Sequence, residues 1–573
     1  MSKRLEKVNW RSWSDEAFDE AKKNNKAIFI SISYSSCHWC KEMDKQVFQN
    51  QECVDILNAG FICIKVDREE RPDIDKYYQK VYQLLNNRVG GWPTSIFCTP
   101  QNKAFFARTY MDVESVEGSN EGMGFKELAN IITTKVSQND EQLFKNADEV
   151  ANFLEKIEHP KEATVLNDSF IKNFMLQAKN NYDTKNAGFS LKPKFPQSST
   201  LKTLLTLDKL YGEKAAKEMF ISTLDAMKKG GMYDLVDGGF CRYSLDNEWF
   251  APHFEKTLYD NALLCGIYTE SYLAYKDISH LQTAKECADF WHNFMSEDGL
   301  FYSASDSENE AYFIYSYEEV HSALLEAGYD NRQSMCAQMS LTPEGNFQGK
   351  NIIRFEGEIP QWYNDVKLLL SKIRASREYP TIDIKVQTSW SSMMITSLFK
   401  LGEIDENYKY RAIKNLDSLL KVMFLDGKLY HTTYIHKTPK VEAFLEDYAF
   451  VSQALLSAFK ATEEELYLIN AQRFVNKALE EFYDKGMWNF SSGEYATKAE
   501  VSDNTYTSAV SIMVENLLSI AMLLKDEKYK HFAFKTLEYN SFELGRRPIY
   551  MPHMLAQMLK YLREDNIYNM KNS

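Results

Sequence analysis

Five times in the later part of the chain a glycine turn leads into an aromatic or bulky apolar residue. The copies are Ala187-Gly188-Phe189, Asp237-Gly238-Gly239-Phe240, Asp298-Gly299-Leu300-Phe301, Asp426-Gly427-Lys428-Leu429-Tyr430 and Lys485-Gly486-Met487-Trp488. The glycines at 188, 239, 299, 427 and 486 stand 51, 60, 128 and 59 residues apart. Each short interval has room for two helices, and apolar patterning offers 284–294, 386–399, 408–424, 442–459 and 468–483. The 128-residue interval is expected to hold two periods, one copy having diverged beyond recognition. A helix pair of this size cannot bury its apolar face alone, so the units must stack on one another. About six pairs, with hairpins recurring at equivalent ends, predict an all-α (α/α)6 toroid of six hairpins; an open helical solenoid is the competing arrangement. In a toroid the inner helices line a funnel and the loops crown its mouth, where function is to be sought.

The N-terminal part reads differently. An apolar run, Ala27 to Ile32, predicts a buried strand, and Cys37-His38-Trp39-Cys40 follows at a predicted helix start. Two thiols at that spacing can close a disulfide within one turn, and a helix N-terminus favours the thiolate of the first. Cys37 is then the nucleophile and Cys40 the resolving thiol. Half of a zinc site is the rival reading, and an inert remnant the third, but no second Cys-x-x-Cys or Cys-x-x-His supplies the other half. Around the dithiol the order is a helix capped by Ser14, the strand, helices near 40–48 and 51–58, a strand at 61–66 and a helix at 74–85. Gly90-Gly91-Trp92-Pro93 then enters a strand, with Pro93 a candidate for a cis bond. The segment 104–109 returns antiparallel across the Pro100-Gln101-Asn102 turn. Cys53, Cys63 and Cys98 read as small core hydrophobes.

This order resembles the thioredoxin fold, which implies that Pro93 presents a substrate backbone beside Cys37 and Cys40. Two departures stand out. Thioredoxins carry an acidic residue on the strand six positions before the first cysteine, and Ser31 stands there. The dipeptide between the cysteines is His38-Trp39 rather than Gly-Pro; an imidazolium nearby stabilises thiolate, which points to a specialised and more oxidising pair.

At 573 residues the chain exceeds one ordinary domain. The expected division is a thioredoxin-like α/β domain over 1–115, a helical connector over 116–160 and the toroid over 161–573. A net charge of −14 and a pI near 5.4 argue against a nucleic-acid backbone binder. The sequence has no run of 18 apolar residues and no apolar stretch at its start, so neither a membrane span nor a signal peptide is expected. Nine cysteines in so long a chain suit a reducing cytoplasm. No cofactor and no metal are expected.

The densest chemistry runs from Met232 to Asn261. It holds Arg242, Tyr243, Trp249, His253, Glu255 and Asp260 on a glycine-rich loop and the helix after it. Lys194, Asp306, Trp390, Glu446 and Asp447 lie on other crown loops that a toroid would bring together. Aromatics that stack on a sugar ring and charged groups that take its hydroxyls describe a sugar-sized polar pocket. A charged cap joining two repeats is the alternative. A carboxylate pair, Glu255 with Asp306 or Asp447, suits glycosidic hydrolysis. A histidine pair suits epimerisation, and only His431 and His436 offer companions to His253.

Taken together, Ser36-Cys37-His38-Trp39-Cys40, Val66 to Asp73, Gly90-Gly91-Trp92-Pro93, Lys194-Phe195-Pro196, His253 to Lys256 and Leu445 to Tyr448 resemble one family along nearly the whole chain. It is the family of unknown function that includes bacterial YyaL-like proteins and animal spermatogenesis-associated protein 20. The resemblance implies a thioredoxin-like domain joined to a toroid similar to those of N-acylglucosamine 2-epimerases and six-hairpin glycosidases. The Ser305-Asp306-Ser307-Glu308 loop is shorter and less acidic than the family's, and Lys385 to Ser391 departs from Lys-Val-Leu-Thr-Ser-Trp-Asn. Three functions follow as expectations: a thiol–disulfide oxidoreductase with a protein thiol or disulfide partner, a carbohydrate-active enzyme with a small sugar ligand, or a noncatalytic interaction protein.

Overall fold

The computed structural model describes residues 7–115, 122–156, 162–190, 192–492 and 496–572. The chain forms two compact units, one of Met1–Pro160 with Gly493–Thr497, the other of Lys161–Ser492 with Lys498–Ser573.

The first unit is a mixed α/β sandwich. Its elements run β1 (Trp10–Arg11), α1 (Asp15–Asn24), β2 (Ala27–Ser33), α2 (His38–Gln46), α3 (Gln51–Gly60) and β3 (Phe61–Asp67), then α4 (Pro72–Asn86), β4 (Thr94–Cys98) and β5 (Ala104–Arg108), with α5 (Phe125–Ser137) and α6 (Glu141–Lys156) last. Ser14 caps α1 as its sequence position implies, accepting the Ala17 N–H at 3.4 Å. The strands order as β1-β3-β2-β4-β5, with β1, β3 and β2 parallel and β4 and β5 antiparallel. Strand β2 is the middle one, and six of its seven residues are buried. Ile28, Ile30 and Ile32 meet Phe18, Tyr78 and Val81 on one face; Phe29 meets Met43, Leu57 and Phe125 on the other. That explains an unbroken apolar run in place of alternation. Helices α5 and α6, expected as a connector, pack on α3, α4 and β5. His159-Pro160, the expected end of that connector, lies outside the described residues.

The second unit is a mostly helical repeat. Its helices are α7 (Ser169–Asn181), α8 (Ser198–Tyr211), α9 (Lys214–Lys229), α10 (Leu258–Tyr275), α11 (Ile278–Phe294), α12 (Tyr317–Glu326), α13 (Arg332–Gln338), α14 (Tyr363–Arg374), α15 (Thr388–Gly402), α16 (Glu406–Met423), α17 (Leu445–Thr462), α18 (Glu465–Phe482), α19 (Ala509–Leu524), α20 (Glu527–Arg546) and α21 (Pro552–Asn572). Six of them touch in a closed circuit: α8 packs on α10, α10 on α15, α15 on α17, α17 on α19, α19 on α21, and α21 on α8. Outside them α9, α11, α16, α18 and α20 each fold back on the helix before them. The last outer position is filled from the start of the unit. Helix α7 packs on α20, with Asn173 and Gln177 donating to the Gly545 and Arg546 carbonyls at 2.9 Å. The ring of six hairpins is therefore closed by joining the unit's two ends.

The 128-residue interval departs from expectation. It holds one ring hairpin, α15–α16, and an insertion, α12–α14, whose helices pack on one another. The insertion is pinned to the loop before α10: Arg374 Nη1 donates to Asp234 at 2.8 Å and to Asp237 at 2.9 Å, and Tyr363 O–H to the Leu235 carbonyl at 3.2 Å. The missing period is supplied by α21 and α7, which the sequence separates by most of the unit.

The recurrent glycines sit where each outer helix turns toward the next inner one. In all five turns two consecutive residues have positive φ, ending at Gly188, Gly239, Gly299, Gly427 and Gly486. That is the backbone of a tight hairpin matched to strand twist, and glycine adopts it without strain. At Gly486 a Cβ would also come within 2.5 Å of the Lys535 carbonyl oxygen, whereas at Gly427 the nearest atom is 3.9 Å away. Gly427→Ala should therefore cost about 1–2 kcal/mol, and Gly486→Ala a further ~1–3 kcal/mol. Thermal unfolding followed by circular dichroism checks the order; equal losses would contradict it.

Candidate functional site

In the first unit the dithiol sits where β2 hands over to α2. Cys37 is the N-cap of α2 and is joined to Cys40 by a disulfide with Cα atoms 5.3 Å apart. Cys37 Sγ also accepts the Cys40 N–H at 3.2 Å. Of the two residues between them, His38 is half-buried and Trp39 is exposed, its ring against His38 (5.4 Å) and Tyr110 (5.2 Å). Ile32 pairs with Thr94 across β2 and β4, which places Pro93 at the end of the sheet from which the chain enters Cys37. The Trp92–Pro93 bond is cis, as expected; Lys192–Pro193 is a second cis bond that sequence reasoning missed.

The segment that follows β3 supports the Pro93 loop. The Arg68 guanidinium lies 3.8 Å from the Trp92 ring centre, and Trp92 Nε1–H donates to Asp75 at 2.9 Å. Burial raises the Asp75 pKa against the pull of Arg68. At the position of the missing acid, Ser31 is buried with Lys65 and Ser95 as its strand neighbours. Lys65 pairs instead with Asp44 of α2 at 2.9 Å. Cys53, Cys63 and Cys98 are buried, and burial pushes their thiols up to about 11, 12 and 12.

In the second unit the inner helices α8, α10, α15, α17, α19 and α21 all follow outer-to-inner turns, so their N-termini share one mouth. Glu255, fully buried, receives Arg242 Nη1–H at 3.0 Å, and His253 Nδ1 lies 3.7 Å from the same carboxylate. The His253 ring stacks on Tyr243 at 4.7 Å. Five residues beyond Glu255, Asp260 accepts the Thr257 hydroxyl at 2.6 Å. Ser305 pairs with Lys256 in a short bridge, so Asp306 is the next residue in register with Glu255. Trp390 meets Tyr259 at 4.7 Å, Tyr259 meets Tyr506 at 5.2 Å, and Tyr506 O–H donates to Glu446 at 2.9 Å. Aromatic and acidic residues from α10, α15 and α17 thus meet through Tyr506, on the loop before α19.

Other expected residues are committed to the frame. Asp447 accepts the N–H groups of Ser389 (3.1 Å) and Phe444 (2.9 Å) and lies 2.8 Å from His431 Nδ1. Lys194 is fully buried and donates to Asp183 at 2.7 Å and to the Asn247 carbonyl at 2.8 Å. Burial raises the Asp183 pKa, but the Lys194 ammonium and the Asn186 N–H groups outweigh it and bring the carboxyl down to about 2. Trp249 is buried against Gly188 with its indole N–H on the Ala187 carbonyl at 3.2 Å. His436 is exposed. Sequence reasoning missed Tyr259, Tyr506 and the Asp447–His431 pair. The only signal for Tyr506 was its place just before a helix cap, Ser508.

Four buried polar atoms at the start of α15 find no hydrogen-bond partner among the described residues: Gln387 Nε2, Ser389 Oγ, Trp390 Nε1 and Ser391 Oγ. Native interiors leave few such groups unmatched, so a cluster of them marks a place for a polar ligand or water. Asp260 faces the same mouth. Burial, with the Glu255 charge adding to it, raises its pKa to about 7 against the pull of Arg242 and Thr257.

That shift makes stability depend on pH. From about 4 to 7 the folded carboxyl keeps its proton while the unfolded one loses it, so stability falls as pH rises and levels off above 7. Asp260→Asn removes this contribution and should gain on the native chain across that window, by up to about 4 kcal/mol, while Asp503, which burial also raises to about 7, keeps its own. Melting temperatures of both proteins at pH 4.5, 6 and 8 test it; a difference independent of pH would contradict it.

Comparison with known proteins places the chain among relatives. A profile described as "Protein of unknown function, DUF255" matches residues 1–155. Uncharacterized protein B0495.5 of Caenorhabditis elegans is 30% identical over 97% of this chain and 83% of its own length. Spermatogenesis-associated protein 20 of Homo sapiens is 30% identical over 96% of this chain and 78% of its own. Among solved structures, cellobiose 2-epimerase from Spirochaeta thermophila matches 71% of this chain and 100% of its own at 12% identity and a TM-score of 0.47. Among the described residues no helix is long and apolar enough to cross a membrane. The identity and near-complete overlap with the worm and human proteins show that this chain belongs to the spermatogenesis-associated protein 20 family.

Proposed function

We propose that the protein is a thiol–disulfide oxidoreductase working through Cys37 and Cys40. The observation that carries this reading is the pair's position, with Cys37 the N-cap of α2 at the sheet end where Pro93 enters β4. Backbone N–H groups at a helix start stabilise the Cys37 thiolate. In the reducing direction that thiolate attacks one sulfur of a substrate disulfide. The substrate S–S bond breaks, and its other sulfur leaves as a thiolate and takes a proton. Cys40, as thiolate, then attacks Cys37 Sγ, expelling the second substrate thiolate and closing the Cys37–Cys40 bond. Two electrons have moved to the substrate, and a cellular dithiol restores the pair. The oxidising direction is the reverse. Without an acid at Ser31, deprotonation of Cys40 draws on solvent, which suits a selective exchange with a protein partner rather than general reduction.

A second reading concerns the ring mouth, where a carboxyl that keeps its proton near neutral pH stands in the field of Glu255. Such a pair supports acid–base chemistry on a sugar, and the unmatched donors of α15 support a polyhydroxyl ligand. Binding of a mono- or disaccharide that is lost in Glu255→Gln is its expected mark; a broad sugar panel without binding removes it.

For the first reading, Cys40→Ser expressed in cells is expected to accumulate mixed disulfides that run as high-mass bands on non-reducing gels and collapse with reductant. Cys37→Ser should trap none. A Cys40→Ser protein that captures nothing under oxidising challenge would sink the proposal.

A further inference from the structure

Exchange at a nearly buried disulfide demands close approach. Cys37 and Cys40 are only 4% and 6% exposed, yet the sulfur of a partner must bond to Cys37 Sγ. A mixed disulfide holds its two Cα atoms about 4–7 Å apart, so the partner's backbone is pressed onto the surface around Cys37. An extended chain advances about 3.3 Å per residue. The residues flanking the partner's cysteine therefore cover whatever projects from the first turn of α2.

Trp39 projects there. The sequence has nine tryptophans, and Trp39, at 55%, is the only exposed one among the described residues. It stands two residues after Cys37 and next to Cys40, whose Cα atoms are 5.3 Å apart. Its indole is held in place, with the His38 ring edge-on at 5.4 Å and the Tyr110 ring inclined at 60° and 5.2 Å away. Tyr110 is fixed in turn: its O–H is shared between Gln46 Oε1 at 2.7 Å and Asp112 Oδ1 at 3.1 Å. Gln46 is the last residue of α2, so the ring that steadies Trp39 is tied to the helix that carries it. A held, exposed indole gives up little conformational freedom on binding, and tryptophan is enriched among residues that dominate interface energies. Sulfur exchange itself uses only the thiolates, which leaves the indole to decide between partners. A flat side chain gains by covering it, and an aromatic one gains beyond its buried area; a small polar one gains little.

We propose that Trp39 is a specificity-determining residue of the dithiol, selecting protein disulfides whose reactive cysteine has an aromatic side chain beside it. The proposal rests on the reading of Cys37 and Cys40 as an exchange site and adds the class of partner.

The test mixes the reduced full chain with the disulfide dimers of two blocked peptides of equal charge, Lys-Phe-Cys-Phe-Lys and Lys-Ser-Cys-Ser-Lys. Each reaction passes two electrons to the peptide disulfide and releases two peptide thiols as the Cys37–Cys40 bond closes. Acid quenching and chromatography give the rates, each divided by the rate of dithiothreitol with the same peptide to remove intrinsic reactivity. The native chain is expected to favour the phenylalanine peptide about tenfold. Trp39→Ala should lose that preference by slowing the phenylalanine peptide alone, and Trp39→Phe should keep most of it. Trp39 lies outside the core, so both variants are expected to fold. Equal rates with the two peptides, or a preference that persists in Trp39→Ala, overturn this proposal and leave exchange at the dithiol standing. No reaction with either peptide overturns both.

Discussion

Closure of the ring, α21 against α8, is the contact on which the second unit depends. An inner helix such as α19 is apolar on nearly every side, which is tolerable only when outer helix and both inner neighbours cover it. Closure supplies the last neighbour. It also brings six inner N-termini to one mouth, so loops separated by hundreds of residues meet there. The same geometry holds the far ends of these helices together, which gathers lysines and glutamates that no local motif connects. One packing arrangement thus creates a crowded acidic and aromatic mouth and, along the axis, a cavity lined by three lysines and three glutamates.

In the first unit the corresponding constraint is the burial of β2 on both faces. A central strand held this tightly fixes where the chain emerges and begins α2. Cys37 is thereby set at a helix start, and Pro93 is set by the neighbouring strand. The Arg68–Trp92–Asp75 contacts give the charged stretch after β3 a physical task, since they hold the Pro93 loop from below.

Much of this was legible in the residues. Strand β2, the cap at Ser14, the dithiol at a helix start and the cis Pro93 all follow from local rules of patterning and backbone chemistry. The glycine turns announced the repeat because only a few residues tolerate two successive positive φ values. The remainder depended on distance. The insertion α12–α14 looked like a lost repeat because its helices have ordinary amphipathic patterns, and only Arg374 reaching Asp234 reveals what it packs on. The sixth hairpin is made from opposite ends of the unit, so no period contains it. Trp249 had the composition of a stacking platform, yet its indole is held against Gly188, a contact 61 residues apart. The lysines of the cavity come one per helix, at levels set by how the helices are staggered. Such staggering is decided by packing between layers, which leaves no short-range trace.

The central claim is that Cys37 and Cys40 exchange electrons reversibly. Its most direct measurement is the equilibrium redox titration of the full chain in thiol–disulfide buffers, with the two cysteines counted after alkylation. The account predicts a reversible two-electron transition with a midpoint above thioredoxin's value of about −270 mV, since a helix N-terminus and His38 favour the reduced thiolate. A pair that stays oxidised below about −300 mV, as structural disulfides do, or that does not re-form once reduced, would contradict it.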